Sequence, residues 1–175
     1  LNSNHIKTLA CGNNGISVFK SLEDNYDFIV LEISSYQLEY VKKLKSYISV
    51  ILNLSTDHLE RHETLKKYFS TKLKIFDNAK YKIINNNLEY SKKDITFDVK
   101  NNSIYVNNSS IENLTFKNYN FISYKDEKYK INGRHEAYNL SACIAVLSIL
   151  GLSLDEIMLG FSKRSHLSHR LERFC

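Results

Sequence analysis

Phe28-Ile29-Val30-Leu31-Glu32-Ile33 runs straight into Ser34-Ser35-Tyr36-Gln37-Leu38-Glu39, and this stretch decides the fold. A continuous apolar run of strand length is the signature of a central strand buried on both faces. Glu32 then stands at the carboxyl end of that strand, where open α/β sheets place their ligand crevice. Burying a carboxylate there is costly unless a cation or hydrogen bonds compensate, so Glu32 is a metal-ligand candidate. The competing reading is a strand-end glutamate that simply reaches solvent.

Outward from this stretch the pattern alternates. Residues 6–11 form a short apolar segment that enters Gly12-Asn13-Asn14-Gly15, after which Ile16, Phe19 and Leu22 recur at helical spacing. Strand, glycine turn and helix are expected. Residues 37–44 are expected to be helical, and residues 49–54 read as a second doubly buried strand. From Thr64 an amphipathic helix carries Leu65, Tyr68, Phe69, Leu73 and Phe76 on one face, with Lys72 beside the stripe. Residues 81–85 add a strand, and the alternation predicts a parallel sheet.

After Asn87 the runs become short and alternating, at residues 95–99 and 103–106 about Lys100-Asn101-Asn102, which predicts a hairpin. Residues 137–150 read as a well-buried helix stopped by Gly151, and Ser153 with Glu156 forms a capping box opening another. The class is α/β: a mostly parallel sheet flanked by helices, with a small antiparallel β-hairpin region.

With 175 residues, 43% of them hydrophobic, the chain has the size of one ordinary domain. Such a domain buries about 70% of its unfolded surface. Twenty-four Lys and Arg against 19 Asp and Glu give a net charge of +5, but the lysines are spread and form no dense basic block. That argues against nucleic acid as a partner. Tyr119, Phe121, Tyr124, Lys125 and residues 128–130 offer a loose basic and aromatic face, better read as the solvated side of a hairpin.

Cys11, Cys143 and Cys175 are odd in number and far apart, which points to free buried thiols in a reducing compartment. No apolar stretch approaches the roughly 20 residues of a membrane span. A cytoplasmic protein without membrane contact is expected. Proline is absent, and the chain runs from Leu1 to Cys175 with no helix-ending signal at its close, so it reads as a piece of a longer polypeptide.

Asn53-Leu54-Ser55-Thr56-Asp57-His58 follows the third strand, so Asp57 and His58 fall at the same sheet edge as Glu32. Alone, Asp57 is equally a turn residue and His58 a surface histidine; together with Glu32 they suggest one metal- or proton-competent crevice. His58 and His62 have the spacing of a helical zinc pair, but Leu59 occupies the position a zinc hydrolase fills with glutamate. Lys72 is ordinarily a snorkelling lysine. A partly buried lysine can also lose its proton and capture carbon dioxide, giving a carbamate whose oxygens suit magnesium.

Four motifs carry a resemblance: Gly12-Asn13-Asn14-Gly15, Leu31 through Glu39, Asn53 through His58, and Tyr68-Phe69-Ser70-Thr71-Lys72-Leu73-Lys74-Ile75-Phe76. In order and spacing they resemble the central domain of the Mur ligases over almost the whole chain. The Ser-Ser-Tyr-Gln-Leu-Glu stretch is most similar to the D-glutamate-adding member. Other Mur ligases and folylpolyglutamate synthase share the glutamate, histidine and lysine but differ around Ser34 to Gln37. A non-catalytic interaction domain is the remaining alternative.

The resemblance implies an ATP-dependent amide ligase of peptidoglycan synthesis, monomeric, whose substrates are UDP-N-acetylmuramoyl-L-alanine, D-glutamate and ATP. It implies two magnesium ions, with Glu32 on the ion that bridges the ATP phosphates and His58 with carbamylated Lys72 on the second. It places Asn13, Ser34 and Gln37 near the muramoyl substrate, and Asn139, Arg170 and Asp57 near the nucleotide. Residues 1–165 would form the central ATPase-type domain, and residues 166–175 the linker and the start of a C-terminal domain.

Three departures stand out. Glu136 occupies the place of a second asparagine, Ser168 replaces the proline before His169-Arg170, and no Gly-Lys pair occurs anywhere in the chain. Without the glycine-rich phosphate loop, the 175 residues alone are expected not to turn over ATP.

Overall fold

The computed structural model describes residues 6–54 and 62–164. Asp57, His58, Arg170 and the expected linker at residues 166–175 lie outside the described residues. The chain divides into two compact units, residues 1–46 with 55–79 and residues 47–54 with 80–175.

In the first unit, β1 (Thr8–Gly12) and β2 (Phe28–Glu32) pair in parallel, with Thr8 beside Phe28 and Gly12 beside Glu32. Helix α1 (Ser35–Tyr40) follows β2, and α2 (Leu65–Leu73) packs against α1 before a 3₁₀ turn at Lys74–Phe76. The helix begins at Thr64 as the sequence expects, and Thr64 caps it by accepting from the Lys67 N–H. Tyr68 and Phe76 are the buried anchors of the predicted apolar face, at 2% and 1% exposure.

Two expectations fail here. Residues 28–33 are not a doubly buried strand: Ile29 and Val30 are 50% and 53% exposed. The cause is topological, because the sheet of this unit has only β1 and β2 among the described residues. Glu32 is therefore an exposed carboxylate rather than one sunk at the end of a buried strand. Residues 16–22 do not form a packed α-helix but a short 3₁₀ turn, Val18–Leu22, with Phe19 and Leu22 largely exposed. Apolar residues exactly three apart eclipse one another on a 3₁₀ turn as well as they line an α-helix, and five residues are too few to hold a helix by packing.

The second unit contains a seven-stranded mixed sheet in sequential order: β3 (Ser46–Ile51), β4 (Ala79–Asn85), β5 (Ile95–Lys100), β6 (Ser103–Val106), β7 (Ser109–Lys117), β8 (Phe121–Tyr124) and β9 (Glu127–Lys130). β4 and β5 are parallel, and from β5 onward every neighbouring pair is antiparallel, so the antiparallel region extends beyond the predicted hairpin to β9. Its tight turns place Asn101, Asn102, Asn107, Asn108, Asn118, Tyr119 and Lys125 at positive φ. Asparagine tolerates that conformation, and in a chain with no proline and five glycines it does most of the turning.

Helix α3 (Arg134–Ile149) and α4 (Leu154–Ser162) complete this unit. Leu140 and Ile144 of α3, with Ile157 and Met158 of α4, join a core of Val99, Ile104, Leu114 and Ile122. Ala142 and Ala145 close a second cluster over Ile83 and Phe97. Gly151, at φ 83°, ends α3 as predicted, and the Ser153/Glu156 capping box opens α4. Of the thiols, Cys11 is buried as expected, whereas Cys143 is exposed on α3.

Candidate functional site

Parallel pairing in register brings the carboxyl ends of β1 and β2 to one edge. Gly12 is what permits this closeness. It lies at φ 103°, and a Cβ there would fall 2.2 Å from the Glu32 carbonyl oxygen. The Asn13 N–H donates to that carbonyl at 2.8 Å, and the Gly12 N–H donates to the Ile16 carbonyl at 2.7 Å, closing the turn. Asn13 thereby comes beside Glu32, with Nδ2 3.5 Å from Oε1. This long, weak contact leaves most of the carboxylate's acceptor capacity open.

Ser34 and Gln37 begin α1 as a reciprocal cap. Ser34 Oγ accepts from the Gln37 N–H at 3.2 Å, and Gln37 Oε1 accepts from the Ser34 N–H at 2.8 Å. The box starts the helix two residues earlier than the sequence suggests, and it commits the Gln37 oxygen to the helix. The carboxamide nitrogen is the group left to meet a ligand.

A buried constellation that sequence reasoning missed lies beside it. The His62 ring is fully buried, with Nε2 3.0 Å from Ser35 Oγ and Nδ1 3.2 Å from Glu39 Oε1. It stacks on Tyr36 at a centroid distance of 5.8 Å and tilts against Tyr68 at 5.2 Å. The signal was present in the sequence: Ser35 and Glu39 are four apart and share one face of α1.

Lys72 is half-buried on α2, with Nζ 5.0 Å from the Tyr68 ring centroid. That contact attracts an ammonium, so a carbamate would have to form at its expense. In the second unit Asn139 sits half-buried on α3. Glu136, one turn earlier, is occupied. Its Oε1 receives the Arg164 guanidinium at 2.7 and 2.8 Å, and its Oε2 accepts from the Asn132 N–H at 2.6 Å. Arg164 also donates to the Lys130 and Phe161 carbonyls and covers the Phe161 ring at 3.7 Å. The residue that departs from the asparagine pattern is thus a structural latch.

The structure brings Asn13 to Glu32 and Ser34 to Gln37. Glu32 offers the hard oxygen donor that magnesium prefers, with an exposed face toward which a cation can approach. Among the described residues no three His, Cys, Asp or Glu side chains gather as a metal centre. A complete centre would need donors beyond these residues. A shallow cavity of about 330 Å³ lies on the β7–β8 hairpin, lined by Lys117, Phe121 and Lys128, none of them a predicted site residue.

An α/β chain with a carboxylate and an asparagine at one parallel-strand edge belongs to a broad class of ligand-binding domains. Residues 8–147 match the Mur ligase middle domain, and the chain belongs to that family. It is 31% identical to the UDP-N-acetylmuramoylalanine--D-glutamate ligase of Rickettsia prowazekii, covering 98% of this chain and 41% of that protein. It is 32% identical to the protein of the same name from Pasteurella multocida, with the same coverage. The chain therefore spans about two-fifths of these relatives' length.

Among solved structures, MurF from Acinetobacter baumannii superposes with a TM-score of 0.66 at 16% identity, over 97% of this chain and 43% of that one. MurF ligase from Thermotoga maritima, in complex with ADP, gives 0.56 at 14% identity, over 95% and 44%. These two likenesses speak for the fold.

Proposed function

We propose that the chain supplies the middle domain of an ATP-dependent amide ligase that joins D-glutamate to UDP-N-acetylmuramoyl-L-alanine in the cytoplasm. The observation that carries the proposal is the family match together with relatives of that name at about 30% identity over nearly the whole chain. The local support is Glu32, placed by Gly12 at the β1–β2 edge beside Asn13 and just ahead of the Ser34/Gln37 cap.

In such a ligase the γ-phosphoryl group of ATP passes to the muramoyl-alanine carboxylate, and the D-glutamate amine attacks the resulting acyl phosphate. The amide forms, phosphate leaves, and the amine gives up a proton. Magnesium, when bound, neutralises the charge that builds between phosphates and carboxylate. Glu32 would hold one such ion, and His58 with carbamylated Lys72 a second. Asn13, Ser34 and Gln37 would face the muramoyl substrate; Asn139, Asp57 and Arg170 would face the nucleotide. Residues 1–165 would act as the central domain, with residues 166–175 leading into the next.

The test is phosphate release by the intact polypeptide carrying this chain, with ATP, magnesium and UDP-N-acetylmuramoyl-L-alanine. D-glutamate is compared with lysine and meso-diaminopimelate as amine donors. Release that depends on D-glutamate supports the reading; release with another amine, or with a folate in place of the uridine sugar, moves the chain to a different ligase.

A further inference from the structure

The outer face of the antiparallel sheet holds a cavity for which the proposed reaction has no use. Phe116, Ile122 and Tyr124 are buried and turn inward, toward the core that α3 and α4 complete. Side chains alternate along a strand, so Lys117, Phe121 and Ser123 face the other way. Register then assembles them. Lys117 pairs with Phe121 across β7–β8, and across β8–β9 Ser123 pairs with Lys128 and Phe121 with Lys130. With Asn118 and Asn120 of the connecting turn, Lys117, Phe121, Ser123 and Lys128 line the cavity of about 330 Å³. It lies on the sheet face opposite α3, and so apart from Asn139.

Three properties separate this cavity from the solvated side of a hairpin. Its charge is unbalanced. Elsewhere on the sheet Lys100 lies 3.9 Å from the Asp98 carboxylate and Lys125 binds Asp155 at 2.6 Å, whereas Lys117, Lys128 and Lys130 have no such partner among the described residues. Like charges gathered on one sheet face repel, and an anion between them removes that cost. Its ring is uncovered, because Phe121 is 44% exposed among these cations. Such a ring offers a stacking surface to a planar group.

The third property is a wall already in place. Asn118 and Tyr119 have φ 51° and 50°, and the Asn120 N–H donates to the Lys117 carbonyl at 3.1 Å. From outside the turn, the Ile131 N–H donates to the Asn120 carbonyl at 2.9 Å and the Gly133 N–H to the Tyr119 carbonyl at 3.1 Å. The backbone of the turn is thereby fixed, while the side-chain amides of Asn118 and Asn120 have no partner among the described residues. They remain to meet a ligand.

We propose that this cavity binds a small aromatic phosphate of the nucleoside monophosphate class. The base lies on Phe121, the phosphate lies between Lys117 and Lys128 and accepts from the Ser123 hydroxyl, and the two asparagine amides meet the polar edge of the base. Two ammonium groups match a dianionic phosphate. The volume falls at the lower end of the roughly 300–1,000 Å³ of small-molecule sites, and a strand-binding groove would have to track several phosphates. No residue of the cavity belongs to the ligase reading, so the two stand or fall separately.

The test titrates the ¹⁵N-labelled 175-residue chain with AMP, UMP, adenosine or inorganic phosphate and follows the backbone amide shifts. Either nucleotide is expected to shift the amides of residues 117–123 and 128 saturably, roughly tenfold more tightly than adenosine or phosphate. Phe121→Ala should weaken AMP by about fivefold or more and leave phosphate binding unchanged. Lys117→Gln combined with Lys128→Gln should weaken AMP and phosphate alike, by roughly tenfold. These side chains are exposed, and unchanged shifts in the rest of the sheet confirm that each variant is folded.

AMP-dependent shifts confined to α3 around Asn139, or wild-type affinity for AMP in Phe121→Ala, overturn the site. Phosphate binding as tightly as AMP overturns it too, because cations alone then account for the affinity. A single-stranded oligonucleotide that binds the same residues more than about tenfold tighter than AMP overturns the small-ligand assignment in favour of a nucleic-acid strand.

Discussion

Gly12→Ala tests the geometry on which the site depends. Two costs fall on the new methyl group. Gly12 has φ 103°, a conformation that L-residues rarely adopt, and the Cβ would lie 2.2 Å from the Glu32 oxygen and 2.8 Å from Leu31 Cδ1. Backbone strain of this kind costs about 1–3 kcal/mol. Relieving an overlap in packed structure costs a further ~1–3 kcal/mol. Gly→Ala also stiffens the unfolded chain, which returns about 0.4–1 kcal/mol.

The net destabilisation is then about 3 kcal/mol, and for a chain of this length it corresponds to roughly 6–12 °C in melting temperature. Gly15 provides the control. It has nearly the same φ, 90°, but nothing lies within 4 Å of its would-be Cβ. Gly15→Ala should therefore cost only the strain less the unfolded-state gain, about 1 kcal/mol. Urea and thermal unfolding of both variants, followed by circular dichroism, measures the difference directly. Equal stabilities for Gly12→Ala and Gly15→Ala would refute the claim that close strand approach, rather than turn conformation, dictates glycine beside Glu32.

Three further outcomes are expected. Arg164→Ala strips the half-buried Glu136 carboxylate of its cation and should destabilise the second unit by about 1.5–3 kcal/mol in urea unfolding, the range for hydrogen bonds to charged groups. Arg164→Lys should recover only part of this, because one ammonium cannot cover Glu136, two carbonyls and the Phe161 ring at once. Burial, aided by a hydrogen bond to the Glu127 carboxylate, pushes the Tyr129 hydroxyl up to about 12. The folded state thus holds this proton more tightly than the unfolded state does. Its contribution is complete below pH ~10 and is lost between about pH 10 and 12, so wild type should lose stability more steeply than Tyr129→Phe across that window. Finally, Lys72→Ala should abolish ligation by the intact polypeptide, and ¹³C-bicarbonate should give a carbamate resonance in wild type that the variant lacks; full ligation by the variant would sink the carbamate role.

The elements most legible in the sequence are those whose partners are close along the chain. The Ser153/Glu156 box, the helix start at Thr64, the Gly151 stop and the Asn101-Asn102 turn each depend on groups close along the chain, so residue type and spacing suffice. Burial of residues 28–33 was not legible for the opposite reason. An apolar run states that a strand tolerates cover, whereas cover itself is supplied by distant elements, and β2 has β1 alone as its described neighbour.

The same distinction divides the site. Asn13 and Glu32 were singled out by position, and parallel register places them side by side because Gly12 removes the one Cβ that would part them. His62 was judged against a zinc pattern of neighbours on one helix and set aside, although its partners are Ser35 and Glu39, 27 and 23 positions away. A local motif can identify which side chains have the chemistry. Which of them pack together is decided by long-range contacts, and the buried His62 imidazole, against Ser35 and Glu39 of α1 and Tyr68 of α2, is such a contact.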